Sequence, residues 1–194
     1  GATDGLYLAD ADLSRQGTQA GLVGSIVAMA TGDLDNDQKD EVLAIEADGS
    51  LWLLDGENLN DLGQLSGLLV SDPVLGDIDA DGRLEIVIVT TMGLQVYEVS
   101  GVSTALLQAD GFPVNAPVHH EVASFTWGPT LADLDGDGSQ EILVAAANGL
   151  YAFAASGTIV AGFPIPTLDT PSGTPMVLDA DGDGHFEVAV PTTR

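Results

Sequence analysis

Acidic side chains recur at a fixed spacing in four short segments of the chain. Each segment has a carboxylate at its first, third, fifth and ninth positions, and the segments are Asp33 to Glu41 (DLDNDQKDE), Asp77 to Glu85 (DIDADGRLE), Asp133 to Glu141 (DLDGDGSQE) and Asp179 to Glu187 (DADGDGHFE). Carboxylates at alternate positions of a tight turn repel one another unless a hard cation lies among them. Calcium takes about six to eight oxygen ligands, so the pattern predicts up to four calcium sites.

Within each loop, we expect the side chains at positions 1, 3 and 5 and the backbone carbonyl at position 7 to bind the ion. These residues are Asp33, Asp35, Asp37 and Lys39; Asp77, Asp79, Asp81 and Arg83; Asp133, Asp135, Asp137 and Ser139; and Asp179, Asp181, Asp183 and His185. Glycine at position 6 permits a left-handed bend in three loops, whereas the first loop has Gln38 there. We therefore expect the first site to be strained or weaker.

The sequence around the loops predicts short antiparallel strands. Each loop is followed by an apolar, β-prone run, and the glycines Gly49, Gly93 and Gly149 then predict hairpins, with positive φ at both residues of Asp48-Gly49 and Asn148-Gly149. Prolines open a strand before three of the loops, at Pro73, Pro129 and Pro175. One repeat of about 45 to 55 residues is thus a four-stranded antiparallel sheet, which is typical of a β-propeller blade and predicts an all-β fold.

An EF-hand begins with a similar acidic pattern but requires a bidentate Glu at position 12 between two helices. Position 12 is apolar in every loop and lies in a predicted strand, the residues being Ala44, Ile88, Val144 and Val190. The EF-hand is therefore excluded, and the loops are expected between β-strands.

The four motifs resemble the FG-GAP and VCBS repeats found in the β-propeller of integrin α subunits and in many secreted bacterial proteins. The resemblance covers nearly the whole chain, and it implies calcium held between two strands of a blade in a seven- or eight-bladed propeller that acts in adhesion or ligand binding. The chain departs from integrins in having only four loops and in having Glu where integrins have Asp at position 9. The resemblance also implies that the residues at position 9 bind the metal, namely Glu41, Glu85, Glu141 and Glu187.

The blades predicted from these repeats form one propeller domain over residues 1–194. Half a blade is expected at 1–21, blades at 22–70, 71–125 and 126–170, and a half blade at 171–194 that 1–21 would complement. Three arrangements fit this division: a monomer closed as a four-bladed ring, two copies that exchange ends in an eight-bladed ring, or a fragment of a longer propeller.

The charge of the chain excludes several classes of partner. It has 30 acidic and four basic residues and a formal net charge of −26, so nucleic acids and anionic membrane surfaces would be repelled. It has no cysteine, and hence neither disulfides nor thiol catalysis, and it has no apolar run of about 18 residues to insert into a membrane. Cations are the partners that this charge favours.

Catalytic motifs are absent from the sequence, which has no phosphate-binding glycine loop, G-x-S-x-G or HExxH. We therefore expect no enzyme. The irregular stretch 110–127 is a candidate ligand site through His119, His120, Glu121, Phe125 and Trp127; alternatively it is a connector with Phe125 and Trp127 packed between blades. The aromatic residues of the return strands are expected in the core rather than on a sugar-binding surface, namely Trp52, Tyr97, Tyr151 and Phe153.

These patterns together predict a calcium-stabilised, non-catalytic β-propeller, secreted or on the cell surface, with a periplasmic location also open. Its loops would recognise protein or carbohydrate, and calcium would chiefly hold the blades together. The alternative is a structural scaffold in a larger secreted enzyme or assembly, such as a polysaccharide-degrading protein.

Overall fold

The computed structural model describes residues 6–9, 16–18, 22, 24–66, 71–99, 106–114, 125 and 127–193. All regular secondary structure in these residues is β-strand, which confirms the predicted all-β class. Near the start of the chain, β1 (Tyr7–Ala9) and β2 (Gln16–Thr18) form a two-stranded antiparallel sheet. In the described part of the chain there is no helix of the length and apolarity needed to cross a membrane.

Two four-stranded antiparallel sheets follow, each with its strands in chain order. The first contains β3 (Ile26–Gly32), β4 (Glu41–Glu46), β5 (Leu51–Leu54) and β6 (Asp61–Leu65). The second contains β7 (Val74–Gly76), β8 (Glu85–Thr90), β9 (Gly93–Val99) and β10 (Leu106–Gln108). This repetition confirms the predicted blade architecture.

The third and fourth sheets have fewer strands but begin in the same way. The third contains β11 (Thr130–Ala132), β12 (Glu141–Ala146) and β13 (Gly149–Phe153), and isolated bridges join Phe153 to Ile159 and Leu150 to Ile165 beyond its outer strand. The last contains β14 (Met176–Leu178) and β15 (Glu187–Ala189). As predicted, β7, β11 and β14 each begin directly after a proline.

The sheets pack face to face, with their first strands side by side. Strand β3 contacts β7, β7 contacts β11, and β11 contacts β14. Alternate residues of β8 explain this stacking, because Ile86 and Ile88 are buried against the first sheet while Val87 and Val89 are buried against the third. Burying each such side chain contributes about 1.5–3 kcal/mol, so the continuous apolar runs of the sequence are strands covered on both faces.

The hairpins differ from the predicted type. Gly49, Gly93 and Gly149 have φ values of 85°, 117° and 155°, whereas neither Asp48 nor Asn148 has a positive φ. The prediction of two left-handed residues per turn was wrong because a turn with negative φ angles followed by one left-handed glycine also joins two strands closely. The amide of Gly49 donates to the carbonyl of Glu46 at 2.9 Å, which closes the first of these turns.

The predicted pairing of the two ends of the chain is not seen among the described strands. There β1 pairs with β2 and β14 pairs with β15, and no ladder joins the two small sheets. The blade boundaries and the three possible modes of ring closure therefore stay predictions.

Candidate metal centres

Each acidic loop joins the first and second strands of its sheet. The position-9 glutamate begins the second strand and pairs with the last residue of the first strand, as in the pairs Gly32 with Glu41, Gly76 with Glu85, Ala132 with Glu141 and Leu178 with Glu187. Because both ends of every loop are fixed by an antiparallel pair, the intervening acidic residues are confined to one tight turn.

The aspartate at position 1 organises the turn through backbone amides. In the second loop, Asp77 accepts from the amides of Asp81 at 3.0 Å and Gly82 at 2.9 Å, one with each carboxylate oxygen. Asp81 in turn accepts from the amide of Arg83 at 2.8 Å. The same three bonds occur in the other loops at 2.8–3.2 Å. These hydrogen bonds hold the loop in its turn and reduce the ordering that ion binding requires.

Two positions of every loop are left-handed, although the sequence pattern indicated only position 6. At position 6, Gln38 has a φ of 71°, and the glycines Gly82, Gly138 and Gly184 have φ values of 87°, 96° and 89°. Position 4 is left-handed as well, with φ values of 64° at Asn36, 61° at Ala80, 78° at Gly136 and 78° at Gly182. The strain expected at Gln38 is therefore present, and Ala80 introduces a strained residue into the second loop that was not anticipated.

The glutamates at position 9 are held by the backbone of their own loop. One carboxylate oxygen of each accepts the amide of position 2, at 2.7–2.9 Å, from Leu34, Ile78, Leu134 or Ala180. Glu41, Glu85 and Glu141 are buried, whereas Glu187 is exposed. Burial raises the pKa of Glu41 and Glu141, and it raises the pKa of Glu85 to about 7. A cation beside these carboxylates would favour their charged form.

Carboxylate oxygens converge in all four loops. In the last three, positions 1, 3 and 9 bring oxygens within 4.8 Å of one another, while in the first loop positions 1, 3 and 5 do so. These clusters could hold metal ions, and their all-oxygen donor set fits a hard cation such as calcium. The clusters are Asp33, Asp35 and Asp37; Asp77, Asp79 and Glu85; Asp133, Asp135 and Glu141; and Asp179, Asp181 and Glu187.

The remaining predicted ligands stay predictions. At position 7, the backbone amides donate to the position-5 aspartates, and metal binding by the carbonyls of the same residues stays a prediction; these residues are Lys39, Arg83, Ser139 and His185.

The side chain of Lys39 changes the charge of the first loop. Its ammonium lies 3.7 Å from Asp37 and 3.0 Å from Glu57, so it already neutralises part of the charge there.

Only part of the candidate ligand site in the stretch 110–127 lies within the described residues. His119, His120 and Glu121 lie outside the described residues. Phe125 is 2% exposed and packs edge-on against Tyr151. Trp127 is 37% exposed and donates its indole N–H to the carbonyl of Pro171 at 3.1 Å. Phe125 is thus a core residue, while recognition by the two histidines and Trp127 stays a prediction.

The aromatic residues of the return strands behave as the core prediction requires, with one exception. Trp52, Tyr151 and Phe153 are buried. Tyr97 is half-buried and lines a cleft of about 230 Å³, where its hydroxyl donates to the side-chain oxygen of Gln95.

Glu46, which sequence reasoning missed, is buried and accepts the indole N–H of Trp52 at 2.9 Å. Its sequence signal is an acidic residue at the end of an apolar strand, directly before a hairpin.

The FG-GAP-like repeat model matches residues 77–144 and 133–190, which together span more than half of the chain. The chain belongs to the FG-GAP-like repeat family. This confirms the resemblance drawn from the acidic motifs. The two matches contain the last three acidic loops, so the family pattern coincides with the clusters of positions 1, 3 and 9. No curated protein matches the sequence.

Solved structures place the FG-GAP-like chain among known folds. It is similar to the V. cholerae biofilm matrix protein Bap1 (TM-score 0.53, 22% identity, covering 85% of this chain and 28% of Bap1). It is similar to BBS1N, solved in complex with ARL6DN (TM-score 0.58, 12% identity, covering 84% of this chain and 50% of that chain). The computationally designed Ika4 protein gives a TM-score of 0.51 at 14% identity, with 88% of this chain and 94% of that chain covered. At these identities the similarity shows the fold alone.

Proposed function

We propose that this chain is a calcium-stabilised, non-catalytic propeller domain that acts outside the cell or at its surface and binds protein or carbohydrate. The observation that carries the calcium assignment is the convergence of carboxylate oxygens within 4.8 Å in all four loops. Membership of the FG-GAP-like family supports the same assignment.

The residues that would hold each ion are the side chains at positions 1 and 3, joined by position 9 in the last three loops and by position 5 in the first. Calcium would supply positive charge that offsets the repulsion among these carboxylates. The chain itself supplies orientation: in the third loop, Asp133 is fixed by the amides of Asp137 and Gly138, and Glu141 by the amide of Leu134. The loops are thus preorganised, which lowers the ordering cost of binding.

The position of the loops favours a stabilising role. Each loop joins the first strand of a sheet to its second strand, and the first strands of successive sheets contact one another. An ion in the loop would therefore hold a strand pair together at the contact between blades. An affinity on the order of 10⁻⁴ to 10⁻³ M, typical of extracellular calcium modules, would keep such sites filled at millimolar calcium.

Recognition of protein or carbohydrate is supported by the family and by the similarity to a protein described as part of a biofilm matrix. Since this chain covers only 28% of Bap1, a second function is also favoured: a scaffold within a larger secreted enzyme or assembly. A glycan array and a cell-surface binding assay separate the two. Binding by the isolated chain that is lost in His119→Ala with His120→Ala, or in Trp127→Ala, supports recognition, whereas activity only with an adjoining domain supports the scaffold.

The calcium assignment is tested by thermal unfolding in millimolar calcium and then in chelator. We expect calcium to raise the Tm strongly, and we expect Asp133→Asn with Asp135→Asn to remove part of that increase. The control is Asp169→Asn, an exposed acid outside the loops, which should leave the calcium effect unchanged. The same Tm with and without calcium would show that the loops are not metal sites. The light-scattering mass of the same samples distinguishes a monomer from an end-exchanged dimer.

A further inference from the structure

In the first two blades, a side chain from the next blade occupies the space directly before the first ligand aspartate. A Cβ built on Gly76 would lie 2.3 Å from the side-chain oxygen of Gln140. A Cβ built on Gly32 would lie 2.9 Å from a methyl group of Leu84. A leucine methyl group from the first strand of the next blade lies close to each built Cβ as well, at 2.4 Å for Gly76 and 3.0 Å for Gly32. Side chains of the next blade therefore fill the space beside each glycine, and a larger residue there would have to displace their ends.

Both intruding side chains stand at the same place in their own loops. Leu84 and Gln140 are at position 8, immediately before the buried glutamates Glu85 and Glu141 that belong to the carboxylate clusters. The glycines that they cover immediately precede the first aspartates of the loops before them, Asp33 and Asp77. The position-8 side chain of one loop therefore contacts the glycine directly before the first aspartate of the preceding loop.

We propose that the position-8 side chains are positioning residues that couple calcium binding between neighbouring loops, with Gln140 linking the third loop to the second and Leu84 linking the second to the first. This inference rests on the proposed calcium binding.

Coupling follows from the place of Gln140 next to a metal ligand. When the third loop binds an ion, a metal contact is added to the hydrogen bond that Glu141 accepts from Leu134, and Glu141 and its neighbour Gln140 lose the mobility that they keep in the metal-free loop. Its side chain then restrains Gly76, and Asp77 begins the second loop with less freedom to lose. A second ion that binds an already ordered loop does so more tightly, which is positive cooperativity.

The shape of the position-8 side chain, rather than its polarity, performs this role. The side-chain oxygen of Gln140 is buried and has no hydrogen-bond partner within the described residues. Leucine stands in the equivalent position over Gly32. Gln140→Leu should therefore preserve the coupling, whereas Gln140→Ala should abolish it.

The test is calorimetric titration with calcium of a protein in which only the second and third loops can bind. The first and fourth loops are disabled by Asp33→Asn, Asp35→Asn, Asp179→Asn and Asp181→Asn. Further disabling the third loop with Asp133→Asn and Asp135→Asn should weaken the second site about fivefold, a typical coupling. In Gln140→Ala the second site should have one affinity whether or not the third loop is intact. Gln140→Leu and the control Asp169→Asn, an exposed acid outside the loops, should retain the fivefold difference.

The possible outcomes separate the two proposals. Two sites that bind independently, or a fivefold difference that persists in Gln140→Ala, overturn the coupling and leave calcium binding intact. A two-loop protein that takes up no calcium overturns both proposals.

A second measurement does not need the alanine variant to fold. In the protein whose first and fourth loops are disabled, the second loop is disabled as well by Asp79→Asn and Asp81→Asn, which leaves Asp77 in place, and amide exchange is followed by NMR. The Gly82 amide, which donates to Asp77 at 2.9 Å, should exchange several-fold more slowly when calcium fills only the third loop. An unchanged rate would contradict the coupling.

Discussion

The first and third acidic loops have the same hydrogen-bond frame but differ in the residues that must adopt it. In both, the position-1 aspartate accepts the amides of positions 5 and 6, at 2.8–3.1 Å. The left-handed positions are Asn36 and Gln38 in the first loop and Gly136 and Gly138 in the third. The two loops therefore adopt the same conformation, but their left-handed residues differ in conformational free energy, and the first loop is the more strained of the two.

The electrostatics of the two loops also differ. The first loop gathers only its three aspartates, and Lys39 lies beside one of them. The third loop gathers Asp133 and Asp135 with the buried Glu141, and none of the described residues forms an ion pair with it. The position-1 aspartate therefore sets the hydrogen-bond frame in both loops, whereas the surrounding charged groups determine how strongly each loop favours a bound cation.

The largest expected effect is the loss of a position-1 aspartate. Asp33→Ala and Asp133→Ala each remove the acceptor of at least two backbone amides, so each should lower the free energy of unfolding by about 2 kcal/mol without calcium. In millimolar calcium the third-loop variant should lose more than the first-loop variant, because it also removes the stronger site. Urea unfolding with and without calcium measures both values, and Asp169→Ala is the control. Equal losses in calcium would show that the two loops do not differ in affinity.

A smaller effect is expected from exchanging the left-handed residues. Gln38→Gly should stabilise the protein by about 1 kcal/mol, and Gly138→Ala should destabilise it by about the same amount. No atom lies within 4 Å of a Cβ built on Gly138, so its cost comes from the backbone alone. Urea unfolding in chelator gives both values.

The second loop allows both kinds of substitution within one turn. Ala80→Gly should raise the free energy of unfolding, and Gly82→Ala should lower it. The same sign for both would show that backbone strain does not distinguish the loops.

Much of this architecture could be predicted from the sequence. The spacing of the aspartates located the loops, and the apolar runs and prolines located β7, β11 and β14. These signals are local, since they depend on the chemistry of adjacent residues.

What could not be predicted depends on contacts distant in sequence or on backbone angles without a residue signature. Ala80 is left-handed although alanine gives no sign of it. Gly32 and Gly76 have no positive φ, and the space beside each is filled by side chains of the next blade, among them Leu84 and Gln140. The burial of Glu85 likewise follows from the stacking of the sheets.

A separate effect concerns the buried glutamates and pH. Glu85 has a pKa of about 7 in the folded chain, above its ordinary value of 4.5, because burial penalises the charged form. Between these two values the folded state binds a proton that the unfolded state has released. In chelator, the free energy of unfolding should therefore fall as pH rises from about 4.5 to 7, and Glu85→Gln should flatten this dependence.

Calcium should reverse the sign of this dependence at the second loop. Calcium binding requires the ionised carboxylate, so affinity should increase as pH rises towards 7, while the calcium-free protein becomes less stable over the same range. Unfolding measured in chelator and in millimolar calcium at pH 5 and pH 7 gives both slopes. Glu187→Gln, which alters the exposed glutamate of the fourth loop, is the matched control and should leave the slope in chelator unchanged. The second and fourth loops differ in the burial of the position-9 carboxylate. Parallel slopes of unfolding free energy against pH in chelator and in calcium would mean that Glu85 does not contact the ion.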